Sequence, residues 1–191
     1  MSQAASSTQI RFAGVGSQGL VSASVVLAQA LGIVRDYEVV QTQFYAASIQ
    51  GGASCGDVIF GREKIVFPWV LNPDVLVVLA QDAVKAHAKS MRPGSRVLCD
   101  AQLVTDLRAF GEGVTIYRAP LMALADSLRV RKCMNIVALG AFAQLTQTVT
   151  LQEMTNAVLA RAPGQPDINR QAVKLGYEAP LELVDRTPVA A

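Results

Sequence analysis

Histidine is almost missing from this sequence: His87 is the only one among 191 residues. It stands between Ala86 and Ala88 in a helix-like stretch, with no cysteine or serine motif beside it. It reads as a surface or half-buried side chain. The three cysteines, Cys55, Cys99 and Cys133, lie far apart and form no C-x-x-C pair. An iron–sulfur cluster usually takes four thiolates, and structural zinc takes clustered cysteines and histidines. The chain alone therefore lacks ligands for either, and no metal site is expected. An odd cysteine count in a cytosolic chain reads as buried, reduced thiols. G-x-S-x-G, H-E-x-x-H and the Walker-type G-x-x-x-x-G-K are also missing. No catalytic residue is assigned. Asp57 and Asp100, near expected strand ends, read as caps rather than acid–base catalysts.

Charge is scarce too. Charged residues make up 17% of the chain and the net charge is +2. That is too mild to imply nucleic acid or a membrane surface as a partner. The basic cluster Arg129, Arg131 and Lys132 reads as a solvated helix end. No uninterrupted apolar run approaches a membrane span; runs such as Val75–Ala80 and Ile136–Leu139 are short. Residues 1–9 are polar and small, without a basic segment followed by an apolar one. Secretion is therefore not expected, and the chain reads as cytoplasmic. Hydrophobic residues, by contrast, reach 51%. A chain of this length buries one sizeable core. The apolar excess beyond it points to a large protein–protein contact.

Residues 1–7 read as a flexible lead-in. Residues 8–13 alternate as a first strand ending at Gly14, and Leu20–Leu31 reads as a buried helix stopped by Gly32. Glu38–Thr42 is a second strand. Ala53–Phe60 and Lys64–Phe67, flanking Gly61-Arg62-Glu63, suggest a hairpin. Val75–Ala80 fits a fully buried parallel strand. Asp82–Ser90 reads as a helix, with Arg96–Cys99 and Thr115–Tyr117 as further strands. From Pro120 the pattern turns helical: Leu121–Leu128, Lys132–Thr146, Leu151–Arg161 and Asn169–Leu175. Thr150 and Glu153 make a capping box for the third of these. The expected fold is an open, mainly parallel, Rossmann-like α/β sheet flanked by helices, with a helical C-terminal third. Residues 8–178 form one domain, and 179–191 an extended tail that can drape over a partner.

Gly14-Val15-Gly16-Ser17-Gln18-Gly19 fits G-x-G-x-x-G between a strand and a helix. Such a loop brings backbone N–H groups and a helix N-terminus up to an anion. A dinucleotide site also wants an acidic residue at the end of the second strand. Here that strand ends Val39-Val40-Gln41-Thr42-Gln43, and Asp36 and Glu38 lie at its start. The loop has two readings: contact with a ligand phosphate, or close packing and partner contact. The run from Gln41, Thr42, Gln43 and Tyr45 to Gly51, Gly52 and Ser54 leaves an apolar strand. It reads either as facing a ligand or partner, or as a solvated glycine-rich loop.

Taken in order, these stretches resemble one family, the gamma subunits of 2-oxoacid:ferredoxin oxidoreductases of the pyruvate, ketoisovalerate and 2-oxoglutarate types. The same gamma-type domain occurs in single-chain pyruvate:ferredoxin oxidoreductase. Ile10 to Gly19 resembles the family's opening strand and G-x-G-G-Q-G loop. Gln41-Thr42-Gln43, Tyr45 and Gly51-Gly52-Ala53-Ser54 resemble its central motif. Pro73-Asp74-Val75-Leu76-Val77 through Gln81 follows the third landmark, Asn135 to Ala141 the N-x-x-A-L-G-A helix, and Asn169 to Tyr177 the closing stretch.

The resemblance implies oxidative decarboxylation of a 2-oxoacid to an acyl-CoA by an assembly in which this chain is not catalytic alone. Thiamine diphosphate, Mg2+ and [4Fe-4S] clusters are expected in alpha, beta and delta-type partners, with CoA as co-substrate. The acceptor is ferredoxin, flavodoxin, or NAD through a flavin subunit. Relatives commonly read Tyr-Gly-Pro-Glu-Ala-Arg-Gly-Gly in the central motif, and here Ser48 and Gln50 replace the two charges. A guanidinium binds a carboxylate or phosphate bidentately and an amide does not. An aromatic 2-oxoacid such as phenylglyoxylate or indolepyruvate is one expectation from that change, and an altered partner contact is the other. The substrate, CoA or interface side is expected to include Gln41, Thr42, Gln43, Tyr45, Gln50, Gly51, Gly52, Ser54 and Asn135. Two competing readings remain: a free-standing NAD(P)-binding Rossmann enzyme and a ligand-free assembly module.

Overall fold

A computed structural model of the chain describes residues 7–45, 53–130 and 133–185. Strands rich in β-branched and small residues are β1 (Thr8–Val15), β2 (Glu38–Tyr45), β3 (Ala53–Gly61), β4 (Val75–Val78), β5 (Arg96–Asp100), β6 (Thr115–Ala119) and the two-residue β7 (Glu182–Leu183). They form one sheet in the order β2-β3-β1-β4-β5-β6-β7. β1, β4, β5 and β6 are parallel neighbours. β3 runs against both β1 and β2, and β7 runs against β6. The sheet is the expected open, mainly parallel one, with a reversed strand inserted beside β1.

Helices α1 (Leu20–Gln29), α2 (Gln81–His87), α3 (Leu121–Ser127), α4 (Met134–Thr146), α5 (Leu151–Arg161) and α6 (Pro166–Tyr177) cover it. The two-residue period of the strands divides the core. Ile10, Phe12, Val75 and Val77 bury against α1, α4 and α6 on one face. Ala13, Leu76, Val78, Val97 and Ile116 bury with Ala83 and Val84 of α2 on the other. Covering both faces explains why all four residues of β4 are apolar and buried.

The hairpin differs from its expected form. β3 pairs with β2, from Glu38↔Gly61 to Tyr45↔Ser54, and Lys64–Phe67 forms no strand. Both edges of β3 are already occupied, by β1 and by β2. Pro68, which has no N–H, closes the stretch. Asp57 is also not a cap. It lies in mid-β3 opposite Arg11, whose guanidinium donates to both its oxygens at 2.8 and 2.6 Å. Asp100 does cap, accepting from the N–H groups of Gln102, Leu103 and Met122 at 2.9, 2.7 and 2.7 Å.

The helical third is held by backbone contact. Gly140 of α4 faces the main chain of α6 at Val173 and Tyr177, and Gly176 of α6 faces the main chain of α4 at Val137 and Ala141. A Cβ at either position would collide with a carbonyl oxygen of the other helix. α6 starts at Pro166, three residues earlier than expected, because proline is well suited to a first helical turn. The capping box of α5 is present: the Thr150 N–H donates to Glu153 at 2.7 Å, and the Glu153 N–H to Thr150 Oγ1 at 3.2 Å. The Thr150 N–H, with the Thr150 hydroxyl at 2.9 Å and Arg35 at 2.8 Å, holds the Glu153 carboxyl below the usual carboxylate range.

Candidate functional site

Open α/β sheets bind ligands outside the carboxyl ends of their parallel strands, where neighbouring connections diverge. Here that place lies between β1 and β4. The chain leaves β1 through a 3-10 turn, Gly16–Gln18, and enters α1 at Leu20. Gly19 between them has φ 70°, the left-handed region that favours glycine. Gly16 and Ser17 are exposed.

Gln18 turns back into the crevice. Its Oε1 accepts from the Val15 N–H at 2.8 Å, and its Nε2 donates to the Leu79 carbonyl at 2.6 Å. Val15 ends β1 and Leu79 follows β4, so one carboxamide bridges the two strand ends as a peptide group would. Gly14 is glycine for the same reason: a Cβ there would collide with Gln18 Oε1. Gly14 thus admits the protein's own Gln18 side chain, Gly19 lies against Asn135, and Gly16 faces open space.

Asn135 joins the loop from the first turn of α4. Its Nδ2 donates to the Gly19 carbonyl at 3.1 Å, and its Oδ1 accepts from the Ile136 N–H at 3.0 Å. At the same end of the sheet, Gly14 and Tyr45 both pair with Ser54 in the ladders. The fold therefore brings Gly14–Gly19, Tyr45, Ser54 and Asn135 together from four separate stretches. Ser48, Gln50, Gly51 and Gly52 lie outside the described residues, within the 46–52 connection that joins β2 to β3 at this end.

Gln41, Thr42 and Gln43 separate. Gln41 points to the α1 face, donating to Ser24 Oγ and to the Thr42 carbonyl, both at 3.0 Å. Ser24 Oγ in turn donates to the Val21 carbonyl at 2.9 Å. β3 meets α1 closely here, because Gly56 lies against the Leu20 carbonyl and Ser24. Thr42 pairs with Asp57 and is half-buried, and Gln43 is exposed.

One charged cluster was not singled out from the sequence. Arg11 is salt-bridged to buried Asp57, donates to the Val70 carbonyl at 2.9 Å, and lies 3.4 Å from His87 Nδ1. Burial pushes His87 down to about 4, with the Arg11 charge adding to the effect. Opposite charges inside two otherwise uncharged strands are the available signal. The thiols are of another kind. Cys55 and Cys99 belong to one core and Cys133 to the other. Burial raises all three, Cys99 to about 11, so they stay protonated. Three protonated thiols on opposite faces do not suit a resident cluster. Among the described residues no group of three or more His, Cys, Asp or Glu could hold a metal ion, and no helix is long and apolar enough to cross a membrane.

Comparison with known proteins agrees with this architecture. Residues 9–179 match the family described as Pyruvate ferredoxin/flavodoxin oxidoreductase. The chain is 37% identical over 177 residues to 2-oxoglutarate synthase subunit KorC of Methanocaldococcus jannaschii, covering 92% of this chain and 95% of that one. The keto/oxoacid ferredoxin oxidoreductase gamma subunit of Geobacter sulfurreducens superposes with a TM-score of 0.80 at 31% identity, over 91% of this chain and 96% of that one. Ketoisovalerate oxidoreductase subunit VorA of Methanothermobacter thermautotrophicus is 33% identical over 144 residues, which are 73% of this chain and 28% of that longer one. The chain therefore belongs to the pyruvate ferredoxin/flavodoxin oxidoreductase family, as a gamma subunit of the 2-oxoacid:ferredoxin oxidoreductase type.

Proposed function

We propose that this subunit shapes one side of a thiamine-dependent active centre that its partners build. The complex converts a 2-oxoacid and CoA to an acyl-CoA and carbon dioxide. Two electrons pass through iron–sulfur clusters to ferredoxin; flavodoxin, or NAD through a flavin subunit, is the alternative acceptor. Thiamine diphosphate with Mg2+ supplies the carbanion-stabilising chemistry and belongs, with the clusters, to alpha, beta and delta-type chains. The observation that carries this reading is Gln18 in the crevice between β1 and β4. An amide spanning the two strand ends suits a wall better than a nucleotide cradle. The protonated thiols suit a reducing, cytoplasmic compartment.

For the substrate, the relatives named 2-oxoglutarate synthase favour 2-oxoglutarate. An aromatic 2-oxoacid is the second reading, favoured by Ser48 and Gln50 where relatives carry charge. Native mass spectrometry of the complex, followed by turnover with both substrate classes, tests the assignment. Co-elution with brown, thiamine-containing chains is expected. A single-component protein that binds nicotinamide nucleotide overturns the proposal. Gln50→Arg is expected to change substrate preference or the KM for CoA. Unchanged values remove position 50 from the substrate side.

A further inference from the structure

We infer that Ile65–Leu71, together with Phe44, is the surface by which this subunit seats on the larger, thiamine-binding chain of its complex. The inference rests on the reading above and names the contact within it. Ile65-Val66-Phe67-Pro68-Trp69-Val70-Leu71 is a seven-residue run without a charge and without helix or strand. Four of its side chains face outward: Val66 is 86% exposed, Phe67 57%, Trp69 58% and Leu71 59%, whereas Val70 is buried. They supply four of the eight exposed large hydrophobic side chains among the described residues. Phe44, 63% exposed, pairs with Cys55 in the ladder, two pairs along from Thr42↔Asp57. It therefore shares the sheet face of Asp57 and Arg11, to which the apolar run is tied.

The run is held in place. Its backbone is tied to β1 by Arg11, which donates to the Val70 carbonyl at 2.9 Å, and by Gln9 Oε1, which accepts from the Leu71 N–H at 3.0 Å. Asp57 fixes the guanidinium through two hydrogen bonds. A cavity of about 430 Å3 lies under the run, lined in part by Ile59, Ile65, Phe67 and Trp69. Anchored aromatic side chains around a recess, rimmed by Arg62, Glu63 and Lys64, have the make-up of an interface core. The fixed backbone removes part of the ordering cost of binding.

The occupant follows from the longer relative. The matched region is only 28% of the ketoisovalerate oxidoreductase chain. There the domain is joined to a much larger polypeptide that can cover such a surface within one chain. The corresponding large, thiamine-binding subunit of this protein's own complex is the occupant we assign to the surface here. A second copy of this chain would leave the surface unavailable to that subunit.

The experiment uses the purified complex and its dissociated gamma subunit. Trp69 is the only tryptophan of the chain, so hydroxyl-radical labelling at that residue reads the surface in both states. At least fivefold protection of Trp69 in the complex is expected. The double variant Val66→Asp, Trp69→Ser is expected to keep the wild-type urea midpoint and to need at least tenfold more subunit for half-assembly. Ile33→Ser, at an exposed apolar residue elsewhere, is expected to assemble normally. Equal labelling of Trp69 in both states overturns the inference, whether or not the variant folds. So does a folded double variant retained at wild-type stoichiometry, or a free dimer that only this variant dissociates. A wild-type chain that co-purifies with no thiamine-binding subunit overturns the function reading itself, and is distinguished by that missing partner.

Discussion

Replacing Gly176 by alanine separates two opposing effects of one methyl group. In an ordinary helix interior the change gains about 1 kcal/mol, because glycine has the higher conformational entropy to lose. At Gly176 the new Cβ would lie 2.8 Å from the Val137 carbonyl carbon and 3.0 Å from the Ala141 nitrogen, and closer still to the Val137 oxygen. An ordinary carbon contact is about 3.5 Å. All three atoms are main chain, so no rotamer change relieves the overlap and the helices must part. Overpacking costs typically about 1–3 kcal/mol, and a backbone clash belongs at or above the top of that range. The displaced helix carries Val137, Ala138, Leu139, Ala141 and Phe142, all fully buried. A net loss of about 2 kcal/mol is expected, read as a lower urea midpoint with an unchanged slope. A raised midpoint for Gly176→Ala would refute the close crossing of α4 and α6.

Acid is expected to weaken the fold through His87. Its folded value near 4 lies below the ordinary 6.5, so the unfolded chain takes the proton first. The stability is whole above pH 6.5 and is lost between there and pH 4, by about 2 kcal/mol at pH 5. Urea midpoints measured against pH should show that slope in wild type and a flatter one in His87→Gln; parallel curves contradict it. Gln18→Ala leaves the Val15 N–H and the Leu79 carbonyl without their shared partner, and should cost about 1–3 kcal/mol in denaturant unfolding. If the cost is nil, water replaces the carboxamide freely. The thiols should be silent to a disulfide reagent in the native chain and titrate as three in urea, since all are buried. Fast native reaction of any of them would contradict its burial.

The sequence patterns carried the parallel strands and the helices of the C-terminal third because both have short-range signals. Val75–Val78 is an unbroken apolar run bounded by turns, and Thr150 with Glu153 marks a helix start. Pairing partners have no such signal. Ala53–Gly61 reads as a strand, yet nothing local says that its neighbours are residues 8–15 and 38–45 rather than the nearby Lys64–Phe67. The glycine loop was visible as a motif, but the group that fills it was not. Gln18 belongs to the motif itself, and only the geometry shows its amide spanning two strand ends. Gly140 and Gly176 were noticed only as parts of family motifs; their meaning is a meeting of two helices 36 positions apart in the chain. Arg11 and Asp57, 46 positions apart, become a pair only once β1 and β3 are registered.

The smallest strand has a consequence for synthesis. β7 lies along β6 through Tyr117↔Leu183 and Arg118↔Glu182, with the Val184 N–H donating to the Ile116 carbonyl at 2.9 Å. These residues leave the ribosome after all the other strands and the six helices. Until then one margin of the sheet shows bare amides and carbonyls, a template on which another unfinished chain can dock. A product clipped just before Glu182 would keep every helix and still be prone to clump.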